Sequence, residues 1–269
     1  MNATLFRNIA IALAVAPLLV TLFIKAQGPD PAKHHLVQAY LHKMESLNGE
    51  IDILVLKHRH QLLNNYDGLG SVFRELHDIQ GQLRSGEYAI YRNGDAEMDR
   101  AIELLGEALA RKESVVEGFK SHNAVLNNSL HYFPRIVEET TSLIQGDAKL
   151  QDHLQSLMHT LLMLHIGIKE EETVSTAEHH IRQIALAHSS PSLTARLGRL
   201  RQHASYILRY EKEINSRIQQ ITSDETRSSI VALRSMHEES FNQAFRVASN
   251  YSLVVFIGAM VLFGYAAYS

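Results

Sequence analysis

The chain has 269 residues, 45% of them hydrophobic, with 29 Asp and Glu, 26 Lys and Arg, 16 His and no Cys. Without cysteine there is no disulfide framework, no thiolate metal centre and no cysteine nucleophile. The apolar weight sits in two uncharged runs at opposite ends, which argues against a single soluble enzyme domain.

The first run, NIAIALAVAPLLVTLFI, extends from Asn8 to Ile24. A helix of this length comes close to crossing a hydrocarbon core of about 30 Å. It is at the long end for the apolar part of a signal peptide, and Ile24-Lys25-Ala26 is a poor cleavage site. An uncleaved anchor over 8–26 is therefore expected in preference to a signal peptide, and both readings export the middle of the chain. Arg7 places residues 1–7 in the cytoplasm. Gly28-Pro29-Asp30-Pro31 then breaks the helix.

From there the pattern is helical, with no convincing strand. Ile51, Val55, Leu62 and Leu69 share one stripe at spacings of four and seven. Further stripes come after it: Ile102, Leu105 and Leu109; Phe119, Leu126, Leu130 and Phe133; Leu154, Leu157, Leu161, Leu164 and Ile168; and Leu197 through Ile221. Breaks are expected at Ser85-Gly86, Asn93-Gly94, Pro134, Gly146-Asp147 and Ser189-Ser190-Pro191, with Asp95, Asp147 and Ser190 as N-caps. Gly146 divides the middle into a first bundle over 27–145 and a second over 146–250.

Ser223 to Ser252 holds neither Gly nor Pro, so the last helix is expected to continue unbroken into the second apolar run, Tyr251 to Ser269. Such a rod of about 45 residues, roughly 70 Å, is either a transmitter or a plain stalk. Tyr251, Tyr265 and Tyr268 stand where interfacial aromatic rings are expected. The expected fold is all-α: two stacked antiparallel bundles between an N-terminal and a C-terminal transmembrane helix.

All carboxylates and histidines lie between the runs. Leaving out Arg7 and Lys25, 24 cationic residues face 29 carboxylates there, a balance of about −5 that excludes a clustered-cation footprint for nucleic acid. No Gly-x-Ser-x-Gly, phosphate loop or HExxH occurs, so no enzyme is expected. His58 and His60 point about 200° apart on a helix and cannot chelate one ion, so neither a metal site nor a cofactor is expected. Polar residues do interrupt two apolar stripes. His58 and Asn65 project inward with Val55 and Leu62, Arg59 and Tyr66 stand at that edge, and Asn123 lies between Phe119 and Leu126. Buried polar groups need partners, so these form either an internal amide network or a ligand pocket.

The same stretches carry a family resemblance. LVLKHRHQLLNNYD (Leu54 to Asp67) and FKSHNAVLNNSLHYFP (Phe119 to Pro134) resemble the two hallmark stretches of the DAHL family, the double all-helical ligand-binding sensor domains of bacterial signal-transduction proteins. LRQHASYIL (Leu200 to Leu208) resembles a weaker pattern, and Gly68 departs from the Pro that the family often has there. The resemblance implies an extracytoplasmic sensor anchored in the bacterial inner membrane, with the middle of the chain in the periplasm or extracellular space. It implies ligand-binding positions at Arg59, Asn65, Tyr66, Asp67, Lys120, Asn123, Asn128 and Ser129. It also implies a cytoplasmic output partner outside this sequence: a histidine kinase, a cyclic-di-GMP enzyme or a chemoreceptor-type module. The expected signal is a small molecule or a protein, and the expected assembly a homodimer. The alternative is a membrane-anchored helical scaffold or protein-interaction module that does not signal.

Overall fold

The computed structural model describes residues 16–85, 96–144, 146–167, 170–187, 190–223 and 225–268. They form eight helices and no strand: α1 (16–26), α2 (Pro31–Arg59), α3 (Asp67–Ser85), α4 (Ala96–Thr141), α5 (Ala148–His165), α6 (Glu170–Leu186), α7 (Pro191–Ile221) and α8 (Glu225–Tyr268). The first fifteen residues of the chain, and with them 8–15 of the expected 8–26 anchor, lie outside the described residues, as does the expected cap Asp95.

The expected break at Gly146-Asp147 is present. Gly146 has φ +90°, open to glycine at no steric cost, and the Asp147 carboxylate accepts the Leu150 N–H at 3.1 Å as an N-cap. Pro191 opens α7 after Ser190, whose side chain makes no capping bond. The break at Pro134 does not occur: α4 runs through it for 46 residues. Pro134 is exposed, so its ring meets solvent, while Phe133 and Val137 on either side are buried and hold the helix together.

A second correction concerns the stripe from Ile51 to Leu69. It belongs to two helices, because α2 stops at Arg59. Gln61 adopts φ +57°, the Leu62 N–H bonds the Lys57 carbonyl at 2.9 Å and the Gln61 N–H bonds the His58 carbonyl at 3.1 Å. This paired closure is the Schellman arrangement, here with a glutamine where glycine is usual. Beyond it Leu62 is 71% exposed and Asn65 is exposed, so neither projects into the core.

The helices sort into two compact units that are not consecutive halves of the chain. Among the described residues, the first comprises 16–48, 74–85, 96–108 and 225–268; the second comprises 49–73, 109–144, 146–167, 170–187 and 190–223. Gly146 falls inside the second unit, so the division into 27–145 and 146–250 is not where the units part. The helices α2, α3 and α4 each contribute residues to both units, and α8 belongs to the first.

The first unit buries Leu41, Met44 and Leu47 of α2, Leu76 and Leu83 of α3, Ile102 and Leu105 of α4, and Ile230 and Leu233 of α8. Glu45 of α2 accepts from Arg234 of α8 at 2.8 Å. α1 lies against α8, with Leu19 Cδ2 3.3 Å from where a Cβ on Gly258 would stand. α8 is continuous for 44 residues, about 66 Å. Its C-terminal part is the one helix among the described residues long and apolar enough to cross a membrane, and it exposes Leu253, Phe256, Met260 and Phe263.

The second unit is built on heptad-like stripes. On α7 they run Leu200, Ala204, Ile207, Ile214 and Ile221, all buried; on α5, Leu154, Leu157, Leu161 and Leu164. Where such a stripe carries a polar residue, that residue is driven into the interior and has to find a partner there.

Candidate functional site

Three polar residues meet in the second unit, one of them, Glu211, in register with the α7 stripe. Arg59 ends α2, and its Nη2 donates to Glu211 Oε2 of α7 at 2.5 Å. The two side chains are only 8% and 1% exposed, which makes the pair a buried one. His165, the last residue of α5, places Nδ1 2.7 Å from Glu211 Oε1 and 3.1 Å from Arg59 Nη1. A carboxylate only accepts and a guanidinium only donates, so one Nδ1 cannot serve both. The shorter contact decides: Nδ1 carries its hydrogen toward Glu211, and Arg59 is satisfied by the carboxylate.

Beside it lies the closure of α2. The His58 carbonyl, one of the last of the helix, already accepts the Gln61 N–H and has a second lone pair for another donor. The Asn123 amide of α4 supplies one at 3.1 Å and also donates to the Tyr66 hydroxyl at 3.0 Å. Donation to a carbonyl fixes which end of the amide is nitrogen, so Asn123 Oδ1 points elsewhere. It is buried and has no partner. The His58 ring stacks at a tilt 4.3 Å from Tyr66, and its Nδ1 donates to the Leu63 carbonyl at 3.3 Å. Burial, reinforced by the nearby Lys120 charge and only partly opposed by the Leu63 bond, lowers the His58 pKa from its ordinary value. The ring is thus neutral at pH 7, and Nε2 is a lone-pair acceptor, buried and without a partner. Two orphan acceptors therefore belong to side chains that both contact Tyr66.

The remaining polar groups are more peripheral. Lys120 pairs with Glu117 at 2.7 Å and holds its Nζ 5.9 Å from the Tyr66 ring centre. Ser129, buried, meets His203 Nδ1 of α7 at 3.4 Å. Asn128 is exposed, as are Asn65 and Asp67; Asp67 opens α3, where a carboxylate complements the helix dipole. Of the eight positions expected from the sequence, the structure thus gathers Arg59, Tyr66, Lys120 and Asn123 around the end of α2. It leaves Asn65, Asp67 and Asn128 at the surface. Ser129 is buried further along α4.

The model of the DAHL domain matches residues 29–252, which is most of the chain. The chain belongs to the DAHL domain family. No curated protein and no solved structure matches it. The DAHL match begins just before α2 and ends within α8, so it takes in both compact units. Membership supports a sensor-type all-helical domain, and the polar cluster at the end of α2 lies inside the DAHL match.

Two members of that cluster were missing from the expected positions. Glu211 sits four residues after Ile207 and three before Ile214, in register with the buried stripe, and that register is a signal readable in the sequence. His165 likewise stands four residues after buried Leu161, at the edge of the α5 stripe.

The first unit has a separate histidine contact. His34 Nδ1 of α2 lies 3.1 Å from His237 Nε2 of α8, and the His34 ring stacks on Phe241 with centres 3.8 Å apart. Burial, with the charge of His34 adding to it, pushes His237 down to about 4.

Proposed function

We propose that this chain is a non-catalytic, membrane-anchored sensory module of bacterial signal transduction. Its exported helical middle binds a small molecule or a partner protein, and α8 passes the change to a separate or further cytoplasmic output module. The observation that carries this reading is the pair of buried acceptors, His58 Nε2 and Asn123 Oδ1, left without partners beside Tyr66 in a DAHL domain. Native interiors rarely leave two such groups together, and a ligand donating an N–H or O–H to both relieves the cost. Leu63 and Tyr66, in the stretch after α2, contact these two side chains, so a ligand there displaces that stretch and biases the end of α2 between two packings. A ligand shifts such an equilibrium only by its differential affinity for the two states.

α1 and the apolar end of α8 supply the anchor in this reading, with residues 1–7 in the cytoplasm and the middle outside the inner membrane. Helical continuity from Glu225 onward supports α8 as the transmitter. A homodimer and a kinase, cyclase or chemoreceptor-type output fit the same scheme. The second reading, a scaffold that does not signal, is favoured by the closed Arg59–Glu211 pair.

The test is a thermal-shift screen of the full chain in nanodiscs against a panel of amines, amides and hydroxylated metabolites. Sensing predicts a compound that raises Tm in the wild type and fails to do so in Asn123→Leu. If no compound shifts Tm while a neighbouring protein binds with the same affinity to wild type and Asn123→Leu, the scaffold reading stands instead.

A further inference from the structure

A second cluster of charge in the second unit is not used by the reading above. Along one side of α4 and α7 a cleft of about 760 Å³ is lined by His122, Arg209, Lys212, Glu213, Arg217 and two small polar neighbours. Three permanent cations thus face a single carboxylate. That carboxylate is already engaged: Glu213 Oε1 accepts from Arg209 Nε at 2.8 Å, and Oε2 lies 3.0 Å from His122 Nδ1.

The arrangement carries an internal conflict. His122 Nδ1 also receives Arg217 Nε at 3.3 Å. To accept from the guanidinium, the nitrogen must turn a lone pair toward the Glu213 carboxylate; to donate to Glu213, it must turn its hydrogen toward the guanidinium. One of the two contacts is always unfavourable. A second anion on Arg217 removes the conflict, because the guanidinium then has its own acceptor and His122 is left to Glu213.

Arg217 also packs close to Gly118 of α4. Its Nη1 lies 2.2 Å, and its Cζ 2.6 Å, from where a Cβ on Gly118 would stand. The guanidinium therefore occupies space beside Gly118 that only glycine leaves open. A planar, permanently charged fork packed beside a helix is suited to carboxylate or phosphate oxygens.

We infer that the cleft between α4 and α7 is a binding site for a small soluble anion of the polycarboxylate or phosphate class, with Arg217 as its positioned fork and Lys212 and Arg209 supplying further charge. This goes beyond the sensory reading and does not depend on the orphan acceptors at His58 and Asn123. The test is calorimetric titration of the full chain in phosphatidylcholine nanodiscs with citrate and with inorganic phosphate. Sodium chloride at matched ionic strength corrects for screening.

At least one of the two anions binds above the chloride control, and Arg217→Gln weakens it by about tenfold or more. Gly118→Ala is the sharper variant. The displaced atoms are the far end of a flexible side chain, and alanine is the better helix former, so Tm is unchanged or raised while anion affinity falls severalfold. Arg182→Gln, on the exposed face of α6, leaves binding as it was. Three results overturn the inference: no binding above chloride, binding indifferent to both Arg217→Gln and Gly118→Ala, or Arg217-dependent attachment to phosphatidylglycerol vesicles with neither soluble anion bound. None of these bears on the Tm screen through Asn123, so the two readings fail separately.

Discussion

Replacing Glu211 by leucine removes the carboxylate that Arg59 and His165 share, and leaves a guanidinium 8% exposed with no counter-charge and only the His165 ring nitrogen, 3.1 Å away, within reach. An uncompensated buried charge of this kind costs about 3–5 kcal/mol. Arg59→Met is milder, because Glu211 keeps its 2.7 Å bond from His165; the loss of one charge-assisted bond is worth about 1.5–3 kcal/mol. The double variant has no buried charge from either partner and two apolar side chains of similar volume in their place. It returns to within about 1 kcal/mol of the wild type. The singles and the double thus form a cycle whose coupling exceeds about 2 kcal/mol, far outside the additivity of independent sites. Urea unfolding of the full chain in detergent, monitored by far-ultraviolet circular dichroism, measures all four stabilities. Additive losses, or a Glu211→Leu cost below about 1 kcal/mol, would refute the argument that α2 and α7 are locked through a desolvated pair.

The same geometry sets three further outcomes. His237 is held neutral well below its ordinary value of 6.5, at about 4, so the unfolded chain takes up a proton there that the folded chain does not; stability is complete above about pH 6.5 and is lost toward pH 4, by about 2–3 kcal/mol. The Tm of His237→Leu, measured from about pH 7.5 to about pH 4.5, loses that part of the acid slope, and an unchanged slope would exclude His237 as its source. Pro134→Ala restores a backbone donor inside α4 at an exposed position and raises stability by about 1–3 kcal/mol in the same urea assay. A Gly-Gly insertion after Ala244 interrupts α8 between its buried N-terminal part and its apolar end. In a chimera carrying a histidine-kinase output after Ser269, the insertion abolishes ligand-dependent phosphorylation without lowering ligand affinity, whereas preserved signalling would refute transmission along α8.

The features legible in the sequence are those that repeat. Heptad spacing gave the helices and the buried faces of α5 and α7, because burial of one stripe is dictated by periodicity alone. It also exposed Asn123 and His58 as polar residues on apolar stripes. It could not separate α2 from α3, since Ile51, Val55, Leu62 and Leu69 keep helical spacing across the Schellman closure at Gln61, where the glycine that normally marks such an end is absent. That one missed turn carried Leu62 and Asn65 from the expected core to the surface. The compact units do not part at Gly146, for a related reason: glycine and a good N-cap report where a helix ends, not where contacts between helices thin out. The contacts part instead within α2, α3 and α4, at Asn48, Phe73 and Ala108, where no local residue chemistry marks a boundary. The site shows the same limit. Arg59 was visible at the edge of a stripe, but its partner Glu211 stands 152 residues away, and only its register between Ile207 and Ile214 betrays it. A carboxylate in register with a buried stripe and an arginine at the edge of another each lack a partner when read singly. Their opposite charges make a pairing the economical solution, because either one alone would carry the full desolvation cost.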